Sequence, residues 1–368
     1  MPDPVSRGAA GRATYLAALG VAAVLVTGCT GPPPVAPSGP DDVWALGSPH
    51  EGAGRLLLLH FDGRRWRERP APEVRWSSED DERFPALVAT GPRDAWVFAA
   101  TTAVTAYHWD GERWSDARLP DLRLDPGERA DATALAPDDV WLVAGDHASH
   151  WDGRAWTVMR LPAWAASVSA AAPDQVWAVG GTGRPAAQGC SASQAATMRW
   201  DGRSWRLVPA PEDRTPSQEI NSEGRPDGSI PSIRLTGVVA HGPGNVRAVG
   251  TRSVFDYEDG SRSTTITLHW DGTAWTRVAG SAYAGASGSD GADGIILVDW
   301  DAGAEGGLRG TIRVAPGGGR TELAPMAGAD RGREVDVSAL GAVPGTRTVY
   351  AAGLAYGRNS GPLIARYR

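Results

Sequence analysis

The chain has 368 residues, 42% hydrophobic and 21% charged, with a formal charge of −7. That length exceeds one small core and suits two ordinary domains or one large repeat-built domain. The balance excludes a disordered chain and a multi-span membrane protein, and the acidic charge, with no lysine among 36 basic residues, argues against a nucleic-acid partner. Glycine (47) and proline (28) signal frequent turns, and two cysteines cannot build a disulfide framework.

The N-terminus reads as a secretory signal. Arg7 and Arg12 precede an apolar run from Ala13 to Thr27, about fifteen residues where a spanning helix needs about 20. The run ends in Val26-Thr27-Gly28-Cys29. This resembles the lipobox of bacterial lipoproteins, with an aliphatic residue three places before the cysteine and a small residue directly before it. The resemblance implies diacylglyceryl transfer to the Cys29 thiol and cleavage that leaves Cys29 as the mature N-terminus. Residues 1–28 are then the signal, and 29–40 hold the lipidated cysteine and a spacer stiffened by Pro32, Pro33, Pro34 and Pro37. The expected location is the extracytoplasmic face of a bacterial cytoplasmic membrane. The lipid must do the anchoring, because an acidic chain gains nothing from anionic head groups.

Internal repetition organises the rest. One unit places Pro92 ahead of Ala95-Trp96-Val97 and continues in Tyr107-His108-Trp109-Asp110-Gly111-Glu112-Arg113-Trp114. The Trp-Asp-Gly-x-x-Trp element recurs with Trp151 and Trp156, Trp200 and Trp205, and Trp270 and Trp275, and a Phe variant joins Phe61 to Trp66. The upstream Val-Trp element recurs at Trp44, Trp141 and Trp177, with Arg247 in the tryptophan's place in a fifth copy. Thirteen of the sixteen tryptophans hold these positions, which excludes chance phasing.

Proline precedes each upstream element, at Pro40, Pro92, Pro137, Pro173, Pro243 and Pro344. The double gap before Pro344 predicts a decayed copy with strands at 295–298, 310–314 and 320–323. Seven units of about 46 residues follow, each of four strands; six is the alternative, because residues 35–38 are proline-rich and the last unit stops at a third strand. Asp-Gly between aromatic runs predicts a two-residue type I′ hairpin, with Trp109 opposite Glu112 and Tyr107 opposite Trp114. Small residues dominate the first strands, as at 132–136 and 168–172, and suit an inner position beside a central channel.

These repeats resemble the β-propeller repeats of the bacterial neuraminidase-repeat and kelch-like groups, and most nearly those of the photosystem-assembly-factor type. The resemblance implies an all-β fold, a propeller of seven four-stranded blades over residues 41–368. The Asp-box serine, the WD Gly-His start and the kelch Gly-Gly pair are missing.

In that strand order the short turns share one rim, and the long insertions at 70–83, 181–197, 211–232, 251–264 and 280–293 share the other. Long loops on a rigid scaffold are where binding resides, so the candidate binding residues are Trp76, Trp164, Arg252, Tyr257 and Glu258. No Gly-x-Ser-x-Gly, His-Glu-x-x-His, Cys-x-x-Cys or P-loop occurs. No catalytic residue, metal ligand or cofactor is therefore assigned. His60, His108, His150 and His269 share one repeat position in separate units, too far apart to converge on a metal. The acidic run 79–82 reads as a solvated loop, and Cys190 as an isolated thiol. The expected function is a non-enzymatic binding or scaffold module for a protein partner; the alternative is a glycan-binding or glycoside-acting envelope protein, which exposure of Trp76 or Trp164 beside carboxylates would favour.

Overall fold

The computed structural model describes Leu16–Ala18, Val21–Leu25 and residues 34–367, apart from 48–55, 75–84, 101–102, 120–121, 123–129, 184–192, 215–229, 257–259, 279–283, 302–306, 315–319, 324–333 and 357–360. Every paired strand is antiparallel to its neighbour. The first sheet runs Val35–Gly39, Asp42–Gly47, Leu57–Phe61, Trp66–Arg69, so it begins within the stretch expected to be a spacer. The second runs Ala86–Gly91, Asp94–Ala100, Val104–Trp109, Trp114–Leu119. The third has six strands: Ala130–Ala136, Asp139–Trp151, Trp156–Ala172, Gln175–Gly181, Ala195–Trp200 and Trp205–Val208. The fourth runs Ser232–Gly242, Asn245–Asp256, Gly260–Trp270, Trp275–Val278, and the fifth Ala284–Ser289, Ile295–Asp301, Gly307–Val314, Arg320–Leu323. The sixth joins Glu334–Ala342, Val349–Tyr356 and Gly361–Tyr367 to Val21–Leu25 and Leu16–Ala18.

The strands thus group into six sheets, not seven separate four-stranded ones. Two long strands in the third sheet are the reason. Trp141 and His150 lie on one continuous strand, where nine extended residues would span about 30 Å. Their rings nevertheless stack at 4.1 Å, as Trp96 and His108 do across two strands. The strand therefore doubles back at Gly145, whose φ of 60° favours glycine. Trp156–Ala172 then carries on without a break into the next unit, so two units share one sheet. The decayed copy is present as the fifth sheet. The expected loop at 251–264 is instead a hairpin extension, paired from Thr251 opposite Thr265 to Asp256 opposite Gly260.

The aromatic hairpins differ in register from the two-residue turn. Trp109 lies opposite Trp114, and His108 opposite Ser115. The loop therefore has four residues, and the aspartate closes it: the amides of Glu112 and Arg113 both donate to Asp110 Oδ1 at 2.8 Å. Gly111 supplies the positive φ of 94°. Asp62, Asp152, Asp201 and Asp271 close their loops in the same way. An aspartate that satisfies two loop amides outcompetes the tighter turn.

This register sets the packing between units. Trp177 of one unit meets Trp270 and Trp275 of the next at 5.2 and 5.4 Å. Trp96 meets Trp151 and Trp156, and Trp141 meets Trp200 and Trp205, in the same geometry, the first ring of each pair tilted by 57–58° and the second near-perpendicular. Tyr350 packs edge-on against Trp66 at 6.3 Å, joining the last sheet to the first. Neighbouring first strands also touch in cyclic order, including Glu334–Ala342 against Val35–Gly39, so the ring closes. At that closure a Cβ on Gly341 would lie 2.8 Å from the Val35 carbonyl oxygen, a contact only glycine permits.

Candidate functional site at the central channel

The first strand of each unit faces the ring axis. Together they enclose a channel of about 1310 Å³, lined by small residues and hydroxyls. The lining strands are tied side chain to backbone. The Val238 amide donates to Ser167 Oγ at 3.2 Å, and the Ala240 amide to Ser169 Oγ at 3.0 Å. Asp131 bridges the preceding pair: its Oδ2 accepts the Val168 amide at 2.9 Å and its Oδ1 the Ala132 amide at 3.0 Å. Burial pushes the Asp131 carboxyl up from its ordinary value, against the pull of these bonds and of Ser167.

Trp164 stands at the start of its unit's channel-lining stretch, opposite Gly181 at the end of the second strand. Both positions belong to the rim of long loops. Trp164 is half-buried and reaches the Gly145 turn, where an added Cβ would meet its ring at 3.1 Å. Asp131 and Arg234 line the same channel. The sequence reading missed both, although a charged residue within a run of small inner-strand residues was the available signal.

Arg252 is not a free rim cation. Its Nε donates to Asp213 Oδ2 at 2.8 Å, and Arg277 approaches the same oxygen at 3.7 Å. Gln194 fixes this corner: its Oε1 accepts the Asp213 amide at 2.8 Å and its Nε2 donates to the Pro231 carbonyl at 3.0 Å. Cys29, Trp76, Cys190, Tyr257, Glu258 and the acidic run 79–82 lie outside the described residues.

The repeated histidines sit within separate sheets. His108 Nε2 bonds Asp94 Oδ1 at 2.7 Å and His150 Nε2 bonds Asp139 Oδ1 at 2.9 Å, each stacked on its unit's tryptophan. His60 pairs with Asp42 in the same way, 4.3 Å from Trp44 between ring centroids. Among the described residues no three His, Cys, Asp or Glu side chains gather as a metal site. Among the described residues no helix is long and apolar enough to cross a membrane.

No family model matches the chain, and no curated protein matches it. Among solved structures it is similar to "YCF48 bound to D1 peptide", at 12% identity and a TM-score of 0.53 over 97% of this chain and 99% of that one. The chain folds as a β-propeller. YCF48 from Cyanidioschyzon merolae aligns at 13% identity and a TM-score of 0.45, covering 92% of this chain and 96% of that one. The six-bladed fucose lectin of Aleuria aurantia aligns at 12% and 0.44, covering 81% and 97%. At these identities the likeness concerns the fold alone.

Proposed function

We propose that this propeller is a lipid-anchored, extracytoplasmic binding module without catalytic activity, which takes a protein partner at the long-loop mouth of its channel. One observation carries the reading: Trp164, Asp131 and Arg234 line one channel, on strands locked to one another. An aromatic and a guanidinium on a rigid wall, held in part by the buried Asp131 carboxyl, suit recognition of a mixed polar and apolar surface. The repeat aspartates and histidines named above are already engaged within the sheets. Arg252 belongs to the ion pair that shapes the rim.

Cross-linking capture from the native envelope, comparing the wild-type protein with a Trp164→Ala, Arg234→Ala double variant of unchanged circular dichroism, tests the site. Loss of the same partner in the variant supports the reading, and identical captures refute it. Anchoring has its own test. Cys29→Ser should abolish acyl labelling and release the protein from the membrane, whereas unchanged labelling rejects the lipoprotein assignment. The glycan reading has Trp164 as its one described aromatic, and saturable binding to an envelope glycan, lost in Trp164→Ala, would favour it.

A further inference from the structure

The fold uses up most of the expected spacer. Of residues 29–40, Val35–Gly39 is the first strand of the first sheet, and Val35 lines the channel. The Pro34 carbonyl already accepts the Leu46 amide at 3.0 Å. Val35 is buried in one cluster with Val343 and Tyr350 of the last unit, so this end of the strand is held from both sides. Only five residue steps remain between Cys29 and Pro34. Fully extended, five steps span at most about 18 Å.

The direction of that first strand fixes where the tether leaves the ring. Val35–Gly39 turns through Pro40 and Asp41 into Asp42–Gly47, so Gly39 lies at the short-turn rim and Pro34 at the mouth of long loops. Pro34 and Val35 line the same channel as Trp164 and Arg234. The upstream strand runs toward this rim too: Val21–Leu25 is antiparallel to Gly361–Tyr367, with Leu25 opposite Leu363 near the start of that third strand. The short-turn rim is out of reach. Three spacings between the four strands of a blade measure about 14 Å and a five-residue strand about 16 Å. A tether led around the blade would therefore need roughly 30 Å.

We propose that the long-loop mouth faces the bilayer, held close to its surface, and that the partner it takes is the extracytoplasmic segment of a membrane-embedded protein. The inference rests on the lipid anchor and the channel site proposed above, and adds to them an orientation and a class of partner. Because the tether starts on the channel wall itself, the membrane screens the mouth from a large soluble protein. A chain segment leaving the bilayer is not screened: even as a helix it is about 10–12 Å across, narrower than the gap of about 18 Å that the tether allows. The short turns, with Arg64, Arg113, Arg154 and Arg203 exposed, then point to the aqueous side.

The test places one fluorophore on each rim of the full-length protein in a Cys190→Ser background. Glu73→Cys lies in a long-loop insertion and Arg154→Cys in a short turn, and both native side chains are exposed. The labelled proteins are reconstituted into phosphatidylcholine–phosphatidylglycerol vesicles that carry a quencher on the lipid headgroup. The label at 73 should lose most of its fluorescence and the label at 154 should keep it. Equal or reversed quenching in acylated, vesicle-bound protein overturns the orientation. Mass spectrometry of the same preparation separates the other failure, since an unacylated Cys29 refutes the anchor itself and this proposal with it. Twenty glycine and serine residues inserted between Pro33 and Pro34 should preserve acylation and abolish the difference between the labels; a difference that persists overturns the role given to the tether. In the native envelope, the protein whose capture needs Trp164 and Arg234 should resist carbonate extraction, and a soluble protein there overturns the partner class.

Discussion

Arg247 and Asp290 oppose each other between the fourth and fifth sheets, where other units place a tryptophan against an aromatic pair. Arg247 is fully buried and Asp290 is 4% exposed. The fifth sheet has no Trp-Asp-Gly-x-x-Trp hairpin to receive an indole, so the guanidinium replaces the ring where its socket is missing. Asp290→Ala should destabilise the protein by roughly 3–5 kcal/mol in urea unfolding, because it strands a buried charge. The Asp290→Ala, Arg247→Leu double variant should recover part of that loss; additive losses would show that the two residues are not coupled.

Trp177 is 1% exposed and packs on Trp270 and Trp275. Trp177→Ala should cost about 3–5 kcal/mol through the cavity it leaves. Leu207, 51% exposed on an outer strand, is the control; Leu207→Ala should change stability by no more than about 0.5 kcal/mol. Equal losses in the two variants would refute the packing role assigned to the indoles.

Hydrogen bonds from the Thr273 hydroxyl and from the Ala274 and Thr273 amides hold the Asp271 carboxyl down at about 2. A lowered carboxyl contributes stability that is present above its ordinary value and is lost as pH falls toward its folded value. An NMR titration of the Asp271 side chain should therefore show a midpoint near 2. A midpoint in the ordinary carboxylate range would mean that the four-residue loop is not closed by the aspartate.

His269 lies opposite Arg247, and burial followed by that guanidinium lowers its affinity for a proton. Burial also lowers His241, whose Nε2 donates to the Gly294 carbonyl at 3.1 Å, while Asp290 and Asp293 oppose the shift. An imidazole lowered on folding contributes stability above its ordinary value near 6.5 and loses it as pH falls through that value toward the folded one. Melting temperature should therefore drop between pH 7.5 and 5.5, and a His241→Asn, His269→Asn variant should show a smaller drop. An identical drop in the variant would assign it elsewhere.

The repeat was legible because an aromatic hairpin that must pack on its neighbour needs the same residues in every unit. Thirteen tryptophans in phase, the prolines before each second strand and the small inner strands together specified an all-β ring around a channel. Even the substitution at Arg247 was visible, as a departure from the pattern. What could not be read was decided by contacts between distant residues. The grouping into six sheets depends on Gly145 folding a strand back so tightly that two units share hydrogen bonds. The hairpin register depends on whether Asp110 turns its carboxylate onto its own loop, which outweighs the pairing that Asp-Gly alone suggests. Asp131, Arg234 and Trp164 line one channel only because three first strands, far apart along the chain, line one axis. Periodicity in a sequence reports the faces that each unit must bury; which strand stands beside which is set by closing the ring.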